Sequence, residues 1–190
     1  GIAWGQKGFQ MKLAPYDGTI RGPLIVSMPK RFPKGKVCAK PVGGTDLVPT
    51  FFKMAELELP WEMHGRDLTP LLENPKGKGW KTPFLLAHTG MSYGKDCDEV
   101  IDMKEDPIYQ KQEVPWCVSL RTDRYKYIRN LIPGETEELY DMKKDPGEFT
   151  NLAMQDKHLG LLRKLRKQAI VELKKTDCAF ADKMPPVLKP

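Results

Sequence analysis

No stretch of the 190-residue chain approaches the length of a membrane-spanning helix; the longest apolar run, residues 23–28, is strand-sized. No membrane partner is expected on that ground. Histidine is scarce: His64, His88 and His158 are the only three, and no two are spaced as a metal pair on a helix. Cysteine is scarce too. Cys38, Cys97, Cys117 and Cys178 are widely separated and form no C-x-x-C pair. That spacing argues against a structural zinc site and fits buried thiols or one or two disulfides. Phosphate-cradling glycine loops and RNA-binding aromatic signatures are absent, so no nucleic-acid partner is expected. The chain opens Gly1-Ile2-Ala3-Trp4, without a basic-then-apolar leader. The expectation is either a processed leader or a longer precursor, and no compartment is read from the start.

What is present is the balance of a globular protein, with 40% hydrophobic and 29% charged residues. Lysine and arginine outnumber aspartate and glutamate by 31 to 25, a net charge of +6. That sign favours anionic partners such as sulfated or phosphorylated glycans, nucleic acid or acidic membranes, although lysine is also a general solubilising residue.

Three stretches differ in character. Residues 1–75 read as α/β. Residues 23–28 form a continuous apolar run, as expected of a strand covered on both faces, and prolines and Gly35 after it announce a loop. Thr45 and Asp46 can cap a helix through residue 55, with Pro49 in its first turn and Leu47, Phe51, Met54 and Ala55 on one face. Residues 80–140 read as antiparallel sheet, with strands over 84–88, 116–122, 125–131 and 138–141, and a tight turn at Asp123-Arg124. Residues 89–113 read as a long polar surface loop. The alternation within 125–131 is imperfect, with Tyr125, Tyr127 and Arg129 on one side and Lys126, Ile128 and Asn130 on the other. Last comes a helix over 156–173, with a stripe of Leu159, Leu162, Leu165, Ala169 and Leu173 under a basic surface.

Residues 5–26 read GQKGFQMKLAPYDGTIRGPLIV. This resembles the type I, formylglycine-dependent sulfatase pattern G-x-G-K-x-x-x-Y-E-x-x-x-R-x-P-L-I-V. Lys12, Tyr16, Arg21 and Pro23 match its lysine, aromatic, arginine and proline, and Asp17 stands where glutamate is commoner. DLVPT over 46–50 and HGRDLTPLL over 64–72 resemble the family's next helix and turn. RTDRYKYI over 121–128, ELYDMKKDPGE over 138–148 and NLA over 151–153 resemble its C-terminal motifs. Three motifs in the family's order cover nearly the whole chain. Iduronate- or choline-type sulfatases are the nearer resemblance.

The resemblance implies an α/β chain that is part of an alkaline-phosphatase-like sulfatase fold. Residues 1–75 would close its catalytic domain. Residues 76–190 would form a C-terminal subdomain, a small antiparallel sheet packed by a C-terminal helix. It implies a parent enzyme hydrolysing sulfuric esters, through a formylglycine hydrate and a divalent cation, most often calcium. The residues that would supply these are not found here. Cys38, Cys97 and Cys178 lack the C-x-P/A-S-R pattern, and Cys117-Val-Ser-Leu-Arg121 has only its Cys and Arg. The cation's ligands are expected in an N-terminal part that acts as this chain's partner, no metal is assigned to the chain itself, and the chain alone is expected to be inactive. The substrate implied is a sulfate ester, with sulfated carbohydrate as the leading class, and the compartment implied is secreted or periplasmic.

Lys12 is the candidate catalytic and sulfate-binding residue, because its ammonium is a compact charge suited to an oxyanion. Composition alone would make it an ordinary surface lysine; the motif reverses that. Lys7, in the loop before it, and His88, at the end of a strand, are the other substrate-binding candidates. A solvated lysine and a locally bonded histidine are the ordinary readings of those two. Asp17 is expected to pair with Arg21. His64 and His158 read as structural and exposed, respectively. Two rivals stand beside the sulfatase reading. One is a phosphoric or phosphonic ester hydrolase of the same superfamily, differing in its nucleophile. The other is a non-catalytic module binding anionic glycans through its positive charge.

Overall fold

The computed structural model describes residues 1–12, 14–77, 79–89 and 115–188. By compactness the chain divides into two units, one formed by Gly1–Gly22 with Leu85–Pro190 and the other by Pro23–Phe84.

The first unit is organised by a four-stranded sheet in the order β3-β4-β5-β6. Its strands are β3 (Phe84–His88), β4 (Cys117–Arg121), β5 (Tyr125–Asn130) and β6 (Glu138–Asp141). β4 pairs antiparallel with β5, and β5 with β6, matching the strands expected from the sequence. The β4–β5 turn is closed by Thr122, whose hydroxyl donates to the Tyr125 carbonyl and accepts from its N–H, both at 3.0 Å. The polar loop expected over 89–113 lies, Thr89 apart, outside the described residues, as does Cys97.

Helix α4 (Leu159–Lys174) covers one face of the sheet. Val118, Leu120, Tyr127 and Leu139 alternate inward and meet Leu162, Leu165, Ala169 and Leu173, each no more than 3% exposed. A helix of 16 residues with this spacing gains its stability from that buried stripe rather than from propensity. Leu159 is only half-buried, at the edge of the stripe. His158, at the N-terminal end of α4, is half-buried rather than exposed, because the preceding 3-10 turn folds it against the chain.

The other face explains the imperfect alternation in β5. Cys117 and Ser119 of β4, Lys126 and Ile128 of β5, and Tyr140 of β6 point away from α4, and all are buried as well. Tyr16, from the N-terminal segment, packs there. That segment carries a small hairpin, β1 (Ala3–Trp4) against β2 (Gln10–Met11), followed by the short helix α1 (Asp17–Ile20). The hairpin turn uses positive φ at Gly5 (84°), Lys7 (53°) and Gly8 (81°), a combination that needs glycine at two of the three positions.

In the second unit, α2 (Leu47–Met54) follows a 3-10 turn at Gly44–Asp46, close to the helix expected there. Asp46 occupies the position before the helix, but its carboxylate does not cap it. It accepts from the backbone N–H of Gly43 at 2.9 Å and from Arg66 through N (2.8 Å), Nε (3.0 Å) and Nη2 (2.7 Å). Burial opposes the Asp46 charge, yet these donors offset it and hold the carboxyl below its usual range. Thr50 links the same knot, donating to the Asp46 carbonyl at 2.5 Å and accepting from the Leu68 N–H at 2.9 Å just before α3 (Thr69–Glu73). A Cβ on Gly65 would lie 1.8 Å from the Thr45 carbonyl oxygen, so only glycine fits.

Residues 23–28 are not the strand expected of them. They run without ladder bonds to any described strand, and Leu24 and Ile25 are 49% and 90% exposed. An apolar run becomes a strand only where a neighbouring strand takes up its N–H and C=O groups, and the described residues provide none beside it.

Candidate functional site

Lys12 follows directly on β2, in a bend, and is exposed. It makes no hydrogen bond or ion pair with any described residue. Its position is set by the segments on either side, each fixed to the buried second face of the sheet.

On the N-terminal side the fixing residue is Lys7. Its ammonium donates to the Tyr140 hydroxyl at 3.0 Å and to the Glu148 carbonyl at 2.5 Å. It also lies 4.3 Å from the centre of the Tyr16 ring and 4.6 Å from that of Tyr140, within cation–π range of both. Lys7 is therefore a brace within the first unit, with its charge engaged by aromatic rings and a carbonyl.

On the C-terminal side the fixing residues are Tyr16 and Asp17. The Tyr16 hydroxyl donates to Glu138, 3.0 Å from each carboxylate oxygen, and the Tyr140 hydroxyl donates to Glu138 Oε2 at 2.5 Å. Burial, then the neighbouring Glu138 charge, pushes both phenols well above the ordinary tyrosine range, so they remain donors. Asp17 does not pair with Arg21, which is exposed. It accepts instead from the Lys126 ammonium at 2.9 Å. Lys126 is fully buried and donates on its other side to Glu148 Oε1 at 2.7 Å, while Glu148 Oε2 takes the Asp17 N–H, also at 2.7 Å. Burial raises the Glu148 carboxyl in spite of the Lys126 charge beside it.

The Lys12 loop thus hangs between two anchor points, and the groups that hold them come from β5, β6 and the turn after β6. That turn has its own ties. Asp145 accepts from the N–H groups of Phe149 (3.1 Å) and Thr150 (2.8 Å). Asn151 accepts from Leu139 at 3.0 Å and Ala153 at 2.9 Å, and donates to the Glu137 carbonyl at 3.1 Å. Arg124 pairs with Asp141 at 2.6 Å, holding that carboxyl below its usual range.

The structure places Lys7 and Lys12 in one hairpin segment. His88 is the last residue of β3 and half-buried. Sequence reasoning missed Lys126, Glu148 and Glu138. One signal for Lys126 was there, a lysine at a strand position whose neighbours are buried. No local pattern joins it to Asp17, 109 residues earlier.

Cys117 is buried, and burial followed by the Glu138 charge pushes its thiol up to about 12. Among the described residues no group of three or more His, Cys, Asp or Glu could hold a metal ion. The carboxylates nearest Lys12's anchors, Asp17 and Glu148, are committed to Lys126, so the described residues do not fit a divalent cation.

Comparison with known proteins bears on this arrangement directly. The family described as N-sulphoglucosamine sulphohydrolase, C-terminal, matches residues 5–176. An arylsulfatase of Clostridium perfringens is 27% identical over 94% of this chain and 32% of its own length. A Delta 4,5-hexuronate-2-O-sulfatase of Bacteroides thetaiotaomicron is 31% identical over 80% of this chain and 28% of its own. Among solved structures, BT4656 in complex with its substrate D-glucosamine-2-N,6-O-disulfate superimposes with a TM-score of 0.68 at 25% identity, over 94% of this chain and 34% of that one. The fold of yidJ from Bacteroides fragilis matches with a TM-score of 0.73 at 24% identity, over 98% of this chain and 36% of that one. The chain therefore spans about a third of the length of these relatives. The α/β class and the small sheet packed by a C-terminal helix are those of the sulfatase C-terminal portion.

Proposed function

Because the chain belongs to the N-sulphoglucosamine sulphohydrolase C-terminal family, matching it over residues 5–176, we propose that it serves as the C-terminal portion of an enzyme hydrolysing sulfuric esters. In this reading residues 1–75 complete the catalytic α/β domain and residues 76–190 form the subdomain that braces it. The observation that carries the proposal is Lys12: an exposed ammonium, without a partner among the described residues, at the matching position of the family motif and held between two buried anchors. A positive charge at that position would stabilise a sulfate oxyanion.

Lys7 belongs to the positioning apparatus, since moving it would release the Tyr140 and Glu148 contacts. His88 is proposed as a contact to the sugar portion of the substrate. The family implies a divalent metal, which we take to be calcium, and when bound it would polarise the sulfate oxygens; its ligands would lie in the upstream part of the protein. Sulfated carbohydrate is the substrate class supported by the relatives, one of which was solved with a disulfated glucosamine.

The test is to assay the protein carrying this chain, with its upstream part, against glucosamine 6-sulfate and a chromogenic aryl sulfate. Sulfate release that collapses on Lys12→Ala supports the reading. Release of phosphate from matched phosphate esters, without sulfate release, would move the assignment to phosphoryl chemistry.

A further inference from the structure

The hairpin that carries Lys12 has two faces of opposite character. Ala3 pairs with Met11, and Trp4 with Gln10; continuing that register by one residue beyond the ladder would set Ile2 opposite Lys12. Residues two apart on a strand share a face, and directly opposed residues share it too. Ala3 is 2% exposed and marks the inner face. Ile2, Trp4, Gln10 and Lys12 then fall on the outer one, and all four are exposed. Trp4 is the extreme case at 85%.

An indole left so open is unusual. Tryptophan is the largest apolar side chain, and on average it is highly buried. Here it sits on a hairpin fixed at its turn by Lys7 and Tyr140, beside an amide and an ammonium. A flat apolar face next to a hydrogen-bonding amide and a fixed positive charge matches a saccharide bearing an anionic ester. On such a saccharide the C–H face of the ring would cover the indole, a hydroxyl would meet Gln10, and the ester would meet Lys12.

We propose that Trp4 is a stacking platform for the sugar ring of a sulfated saccharide whose sulfate lies at Lys12. The inference deepens the sulfatase reading and rests on it. It assigns recognition of the carbohydrate to this chain, on the same hairpin face as recognition of the sulfate. Among the described residues the indole is 85% exposed, so replacing it should leave the hairpin's own packing intact.

The test measures binding by the protein carrying this chain, by calorimetry, for three probes: glucosamine 6-sulfate, unsulfated glucosamine and inorganic sulfate. Trp4→Ala is expected to weaken glucosamine 6-sulfate about tenfold, Trp4→Phe to retain most of the affinity, and inorganic sulfate to bind all three proteins equally. Lys12→Ala should weaken both sulfated probes. Unchanged glucosamine 6-sulfate affinity in Trp4→Ala, with loss in Lys12→Ala, would overturn the platform and leave the sulfatase reading standing. Equal weakening of inorganic sulfate by Trp4→Ala would also overturn it, because the indole would then be acting through Lys12. Failure of the unaltered protein to bind either sulfated probe would defeat the platform together with the reading beneath it.

Discussion

Lys126 Nζ lies 2.7 Å from Glu148 Oε1, and the two side chains are 0% and 2% exposed. The pair is shared with Asp17, so one buried cation joins the N-terminal segment to the sheet and to the turn after β6. Burial raises the Glu148 carboxyl even with Lys126 in contact, so desolvation outweighs attraction at that oxygen.

That balance predicts an asymmetry. Lys126→Met leaves the buried Glu148 carboxylate, and Asp17 beside it, without their cation and should cost about 3–5 kcal/mol; Glu148→Leu, which leaves Lys126 still paired with Asp17, should cost less. The double variant should cost less than the sum of the two, because the Lys126 and Glu148 desolvation penalties vanish together and only the part-buried Asp17 is left without its partners. Urea unfolding of the four proteins measures the cycle. Additive losses would show that the two side chains do not act as a pair.

Asp46 and Arg66 supply a pH dependence. A carboxyl held below its unfolded value stabilises the fold at all pH values above that ordinary value, near 3.9. The stability is lost as pH falls from there through the lowered folded pKa. Asp46→Asn should therefore lower stability at neutral pH and flatten the acid limb of the profile. Thermal melts between pH 7 and the acid range check both. Gly65→Ala, which drives a methyl into the Thr45 carbonyl, should destabilise the same knot at every pH.

Lys7 and Lys12 should separate cleanly. Lys12→Ala removes an exposed side chain with no bond to any described residue and should change stability by less than about 0.5 kcal/mol. Lys7→Ala removes an ammonium bonded to Tyr140 and the Glu148 carbonyl and should cost about 1–3 kcal/mol. Chemical denaturation distinguishes them. Equal, negligible effects would return Lys7 to the solvent and to the substrate-contact role considered for it.

The elements that the sequence displayed are those governed by local spacing. The leucines of α4 recur at helical steps, and β4, β5 and β6 are bounded by turn residues that act within a few positions. The Lys12 motif also reads locally. Two things did not. The face on which Lys126 lies is decided by what covers it, and its partners stand 109 and 22 residues away. Residues 23–28 have the composition of a strand, but a strand exists only in a ladder, and composition says nothing of a neighbour. Arg21 before an expected buried strand suggests an ion pair with an acid such as Asp17; residues 23–28 form no such strand, and Asp17 pairs with the buried Lys126 instead.

The central claim is that Lys12 serves the reacting sulfate. Its most direct measurement is kcat/KM for sulfate-ester hydrolysis by the protein carrying this chain, comparing Lys12 with Lys12→Ala and recording the melting temperature of each. A fall of about a hundredfold or more in kcat/KM at unchanged melting temperature is the predicted result, the size expected for losing one preorganised oxyanion contact. Hydrolysis at the original rate by the folded Lys12→Ala protein would contradict it.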